Sequence, residues 1–282
     1  MSTQPAALGR PIRGPSALDG DLRRFMHLTR TLAVSDFRLR FFGSALGYFW
    51  QLMRPLLLFG VLYVVFTQAI KLGEHVKYFP AVLLTSIVLY TFFAEATSNA
   101  VTAVVDREQL VRKIQFPRLV IPTTAVVTSA FNLALNFLVI LVFALASGVR
   151  PHWRWVEVPF ILLALFALSM GVATLLSALY VRFRDVKPMW DVALQILLYG
   201  SPVIYAIETI SSREAQQIIM LNPLAALIQQ MRHALIDPTA PSAATAAGGW
   251  VWLLIPAGIT IGLVLLGFWY FNREAPRIAE EL

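Results

Sequence analysis

Apolar residues run in long blocks along this chain, separated by short charged stretches. The six blocks fall near 50–70, 79–103, 119–147, 157–181, 189–207 and 250–271. A helix needs roughly 20 apolar residues to cross a bilayer core of about 30 Å, so each block predicts a transmembrane helix. The third is long enough to tilt. The fifth is interrupted at Gly200-Ser201-Pro202, and non-helical backbone at membrane depth has to be covered by protein or by water. The fold class predicted is all-α: a polytopic membrane protein with six transmembrane helices.

Three stretches outside the blocks carry helical patterning without spanning length. In residues 21–41, Leu22, Phe25, Met26, Leu28, Leu32, Phe37, Leu39 and Phe41 mix with arginines. This suits an amphipathic helix at the cytoplasmic interface, or a plain soluble linker helix. Between the second and third blocks, Asp106 to Arg118 holds a short helical stretch closed by Pro117, with Leu110, Val111 and Ile114 on one face. It reads as a compact helix for docking in a groove of a cytoplasmic partner, or as a solvated charged loop. Ahead of the last block, Leu224, Leu227, Ile228, Met231 and Leu235 recur at helical spacing after the start signal Asn222-Pro223. That piece, with the break at 200–202, predicts re-entrant helices dipping in from outside, or a helix flat on the outer interface. Residues 238–249 read as a plain linker, and 1–20 as a flexible cytoplasmic tail.

Composition agrees with the blocks. The chain is 58% hydrophobic and 14% charged with mean hydropathy +0.68, against about 25% charged for a soluble domain. It has no cysteine, so disulfides, thiolate metal sites and a cysteine nucleophile are excluded. Arginines interrupt the first fifty residues before any long apolar run, so no secretory signal pattern occurs there and the N-terminus is expected in the cytoplasm. Six crossings then place 17 of the 23 lysines and arginines inside, which follows the positive-inside rule and puts both termini in the cytoplasm of a bacterial inner membrane. The net charge of +7 is accounted for by topology and phospholipid contact, without the basic stripe and stacking aromatics of a nucleic-acid binder.

Motifs that would make the chain an enzyme do not occur. There is no G-x-x-x-x-G-K-[ST] loop to cradle phosphates, no H-E-x-x-H and no G-x-S-x-G, and His27, His75, His152 and His233 lie on separate segments. No cofactor is expected in this chain, and any ATP must be bound with Mg and hydrolysed by a partner. Glu95 is the clearest acid inside a block. It forms a buried ion pair with Arg54, or is held protonated, or acts directly in substrate movement, because an unpaired charge in the membrane costs several kcal/mol. Phe59, Tyr63 and Phe66 share a face of the first block, and Tyr90, Phe93 and Thr97 form a similar stripe on the second. Such stripes pack helices, or wall a channel on which sugar rings slide; Tyr199 and Tyr205, flanking the break, would join that wall.

Several ordered segments together resemble the ABC-2 type permeases that export lipid-linked polysaccharides, the Wzm-like O-antigen, teichoic acid and galactan transporters. They are Ser35-Asp36-Phe37-Arg38-Leu39-Arg40-Phe41 with Ser44 to Trp50 and Arg54-Pro55, then Val111 to Arg118 with Pro122, then Arg184-Asp185-Val186. Ser201-Pro202-Val203-Ile204-Tyr205 and Leu221-Asn222-Pro223-Leu224 with Arg232 complete the series. The Ala- and Arg-rich character is similar to actinobacterial members, which narrows the expectation to a galactan exporter of the mycobacterial type. The resemblance implies that residues 21–282 form an ABC transporter transmembrane domain. It also implies a homodimer bound to two copies of a nucleotide-binding ATPase subunit, with a polymer on an undecaprenyl-type lipid as substrate. It assigns ATPase coupling to the segment holding Arg107, Glu108, Arg112, Lys113 and Phe116. The alternatives are a permease for a small molecule or drug, or a membrane-bound transferase, for which the scattered histidines offer no site.

Overall fold

A computed structural model describes residues 22–41, 47–69, 76–109 and 116–275. Every regular element among them is helical. Long apolar runs leave the backbone to satisfy its own polar groups, and the helix does so within one segment.

Helix α1 (Leu22–Phe41) is the expected N-terminal helix. It buries Thr29 and Ala33 and exposes Leu22, Met26 and Leu39. Helix α2 (Gly47–Val64) contains Pro55 and continues as a π-helical stretch over Val65–Ala69. Helix α3 (Phe79–Asp106) opens with Pro80 in its first turn, where no amide donor is needed. Helix α4 (Val120–Ala146) starts on the Pro117 carbonyl, which accepts from the Val120 amide at 3.0 Å, and stops at Gly148, whose φ of +87° ends the helical path. Helix α5 (Glu157–Arg182) is followed by α6 (Val186–Gly200), and the chain ends its described part in α10 (Leu254–Glu274).

Helix α3 is the centre of the bundle. It packs on α4 and α5 along much of its length and on α2 and α6 at its flanks. Of its most apolar stretch 72% is buried, against 11% for α10, which turns Leu254, Ile261, Leu265 and Trp269 outward. Helix α1 lies along α4, with the Phe37 and Phe131 rings edge to face at 5.6 Å. Helices α5 and α10 approach each other closely at two glycines. A Cβ added to Gly171 would lie 2.7 Å from the Val264 amide nitrogen, and one on Gly267 would lie 2.4 Å from the Gly171 carbonyl oxygen. Small residues that let backbones touch are what membrane helices use where lipid removes the hydrophobic drive.

Among the described residues four helical stretches are long and apolar enough to cross a membrane: Phe79–Asp106, Val120–Ala146, Trp153–Arg182 and Trp250–Glu274. The apolar part of the first expected span, Leu52–Thr67, is shorter. The fifth expected span, 189–207, begins earlier as α6 and stops at Gly200, because Pro202 disfavours a helical residue before it and Ser201 is extended (φ −118°, ψ 153°). After it come a 3₁₀ turn (Ile207–Thr209), α7 (Arg213–Met220) and α8 (Pro223–Met231), the last capped by the Asn222 side chain, which accepts from the Leu224 amide at 3.0 Å.

Residues 238–249 are not the plain linker their composition predicts. Ala243–Ala247 form a short helix, α9, capped by Ser242 and closed by Gly248 at φ +88°. Ala243, Ala246 and Ala247 are buried, and Gln229 of α8 donates to the Pro241 carbonyl at 2.7 Å. Tertiary contact, not periodicity, holds this turn in place. The expected tail, 1–20, lies outside the described residues.

Candidate functional site

The C-terminal end of α3 is built from charged residues in sequence with the apolar run. Thr102 donates to the Asp106 carboxylate at 2.7 Å, and the Arg107 guanidinium forms an ion pair with Asp36 of α1. Asp36, Asn99, Thr102, Asp106, Arg107 and Lys187 line a polar cavity of about 460 Å³ there. Among the other expected coupling residues, Glu108 directly follows Arg107 and Phe116 is buried. Arg112 and Lys113 lie outside the described residues. Arg118, at the foot of α4, is 5% exposed and donates to the Ala275 carbonyl just past the end of α10. Burial pushes its guanidinium below the ordinary arginine range.

Inside the bundle Glu95 faces α4. The Asn132 amide donates to its carboxylate at 3.4 Å, and the Asn136 amide donates to the Asn132 carbonyl at 2.9 Å. These groups, with Ser129, Thr91 and Pro55, enclose about 10 Å³, roughly the space of one water. The side-chain oxygen of Asn132 is buried with no hydrogen-bond partner. Pro55 is the α2 residue that lines this chamber, next to the exposed Arg54. Asn132 and Asn136 were not singled out from the sequence, although two asparagines four apart in an apolar helix share one face and mark a polar seam.

The two aromatic stripes turn to different neighbours within one chain. Phe59 and Tyr63 stack at 5.7 Å, and Phe59 meets Phe143 of α4 edge-on at 5.5 Å. Phe66 is half-buried beside them. On α3, Tyr90 donates to the Leu194 carbonyl at 2.7 Å and Phe93 lies 6.1 Å from the Trp190 ring, both on α6. The Trp190 indole N–H donates to the Thr97 hydroxyl at 3.0 Å. Trp190 thus joins the second stripe, a partner that the spacing within α3 alone does not reveal. Tyr199 is exposed on α6, and Tyr205, beyond the break, is half-buried.

At the opposite end a polar lattice fixes the break against α8. Asn222 donates to the Ser201 hydroxyl at 2.9 Å, Arg232 pairs with Glu208 at 2.6 Å, and Gln230 donates to Glu157 at 2.6 Å. Among the described residues no group of histidines and acids has the arrangement of a metal site.

Comparison with known sequences gives this geometry a setting. Residues 27–236 match the family model for ABC-2 type transporters. The chain is 27% identical over 263 residues to an O-antigen export system permease protein, RfbA, of Myxococcus xanthus, covering 93% of this chain and 98% of that one. A protein of the same description from Klebsiella pneumoniae is 27% identical over 248 residues, covering 88% and 92%.

Proposed function

The chain belongs to the ABC-2 type transporter family, and from that membership we propose that it is the membrane-spanning permease of an ATP-driven exporter of lipid-linked polysaccharide. The observation that carries this reading is near end-to-end similarity to O-antigen export permeases of two organisms. A match confined to one motif would support only a transporter of some kind. Four long apolar helices make the protein a multi-pass membrane protein, and α2 and α6 supply two further crossings in the proposed arrangement.

In this reading ATP and Mg belong to a separate nucleotide-binding subunit, present in two copies on a homodimer of this chain. The substrate is a polymer on a polyprenyl lipid, taken up from the cytoplasmic leaflet of a bacterial inner membrane. The segment from Arg107 to Phe116 meets the ATPase, α1 lies along the inner interface, and α7 to α9 cap the outer end. The aromatic wall of the path is made of Phe59, Tyr63, Phe66, Tyr90, Phe93, Tyr199 and Tyr205. Since the two stripes meet different helices in one chain, the second copy supplies the facing wall. Arg54, the neighbour of the chamber-lining Pro55, forms the ion pair with Glu95 in this reading.

Depleting the chain is expected to leave lipid-linked polymer accumulating on the cytoplasmic face, measured by extracting and sizing the lipid-linked pool. Normal polymer export, with the partner ATPase stimulated by a small molecule instead, would favour the drug-exporter alternative. The same reading fixes a topology. Single cysteines at the exposed positions Arg150 and Glu214 are expected to react with an impermeant maleimide from outside, and those at Asp185 and Asn272 only after the membrane is opened. Outside labelling at Asp185 would refute six crossings with both termini inside.

A further inference from the structure

Two arginines bracket the stretch that the exporter reading assigns to ATPase contact, and both are turned inward. Arg107, at its start, pairs with Asp36 of α1, and the pair is only partly exposed. Arg118, at its end, is almost wholly buried and donates to the backbone carbonyl of Ala275. That carbonyl lies just beyond α10, where the last turn of a helix leaves C=O groups without intrahelical donors and where a cation is favoured by the helix dipole. Ala275 and Phe271 are themselves fully buried, and the Ala275 amide donates to the Phe271 carbonyl at 2.8 Å. Arg118 is also part of a rigid foot: its carbonyl accepts from the Ile121 amide at 3.1 Å, and Leu119, Val120 and Ile121 are at most 1% exposed.

We propose that Arg118 is a positioning residue that locks the end of α10 to the foot of α4, so that displacement of the ATPase-contacting stretch carries the last membrane helix with it. The inference rests on the exporter reading and deepens it. Helix α10 meets α5 backbone to backbone at Gly171 and Gly267, so α5 and α10 have little freedom to slide separately. Motion delivered at Arg118 therefore reaches two crossings through one buried guanidinium. At the other end Arg107 passes the same displacement to α1. A hydrogen bond made by a charged donor to a backbone acceptor inside the protein is stronger than one between neutral groups, and arginine keeps that charge even when buried.

The test uses the full permease–ATPase complex in liposomes. The chain has no native cysteine, so spin labels can be placed at the exposed positions Gln109 and Asn272, with the partner's thiols replaced. A second pair, Gln109 and Arg150, reports across the membrane whether ADP-vanadate trapping moves the segment at all. The Gln109–Arg150 distance is expected to shift on trapping while the Gln109–Asn272 distance stays single and unchanged. In Arg118→Gln the latter should broaden or shift, and export per ATP hydrolysed should fall about tenfold, a usual size for coupling between sites, with ATPase assembly retained. Arg118→Lys, which keeps the charge, should recover part of the loss. A wild-type Gln109–Asn272 distance that changes with trapping overturns the inference without any Arg118 variant, and so does a wild-type export ratio in Arg118→Gln. If no ATPase binds, or the transmembrane pair does not respond, the exporter reading itself fails and the inference with it.

Discussion

Leucine in place of Gly267 is expected to remove most folded protein from the membrane. A Cβ at this position would lie 2.4 Å from the Gly171 carbonyl oxygen and 2.5 Å from the Thr174 hydroxyl, and the carbonyl is helix backbone that cannot rotate away. Helices α5 and α10 would have to part. Overpacking a tight core by a few methylenes costs about 1–3 kcal/mol, and separating two helices along their shared face adds the lost van der Waals contact that holds membrane helices together. Gly171→Leu should behave alike, since its Cβ would meet Val264 and Leu263 backbone atoms within 2.8 Å. Helix α10 carries its own control. Gly258 and Gly262 have nothing within 4 Å of an added Cβ, so leucine there should leave the yield near wild type. The yield is read by size-exclusion chromatography of solubilised protein with a fluorescent fusion. Equal yields at Gly262 and Gly267 would mean that α5 and α10 do not meet at this seam.

Reversing the charges of Glu108, Arg112 and Lys113 together should reduce export to background while the permease stays folded and inserted. Charges on a docking surface set partner choice by complementarity, and opposing like charges cost several kcal/mol. Three reversals therefore weaken assembly by roughly a hundredfold or more, since each 1.4 kcal/mol is a factor of ten. Affinity purification of the ATPase with the variant measures assembly, and chromatography of the membrane fraction measures folding. Full assembly and export by the triple variant would show that the ATPase docks elsewhere. Arg107 belongs to a different class from its neighbours in the chain. Its guanidinium is already engaged by Asp36, so its reversal should disturb α1 against α3 before it disturbs docking.

The parts of the fold legible in the sequence are those set by local pattern. The apolar blocks at 79–103, 119–147, 157–181 and 250–271 reappear as α3, α4, α5 and α10 within a few residues. The start of α8 was legible because Asn222-Pro223 is itself the capping chemistry: a side-chain acceptor followed by a residue without an amide hydrogen. What pattern could not supply is everything fixed by a distant partner. Helix α9 is five residues of alanine and threonine that would not fold alone, and it exists because Gln229 and Gln230 bond the chain around it. Gly171 and Gly267 carry no hydrophobic signal, yet they set a backbone contact between α5 and α10. In the candidate site, Glu95 stood out as an isolated acid, but its hydrogen-bond donor Asn132 lies 37 residues away on another helix. The aromatic stripes were legible as stripes. Their neighbours, Phe143 for one and Trp190 for the other, were not, because helical spacing says which residues share a face and nothing about what that face meets.

The polar seam between α3 and α4 also bears on how the protein is made. Helices of a membrane protein enter the bilayer as they leave the ribosome, and a carboxylate or two asparagines in an isolated helix raise the cost of passing alone into lipid. Asn132 finds Glu95 only when α4 lies against α3, and the two helices are joined by a short stretch between Asp106 and Val120. The two helices would accordingly leave the insertion machinery as a hairpin, α3 being retained beside the exit site until α4 has been synthesised.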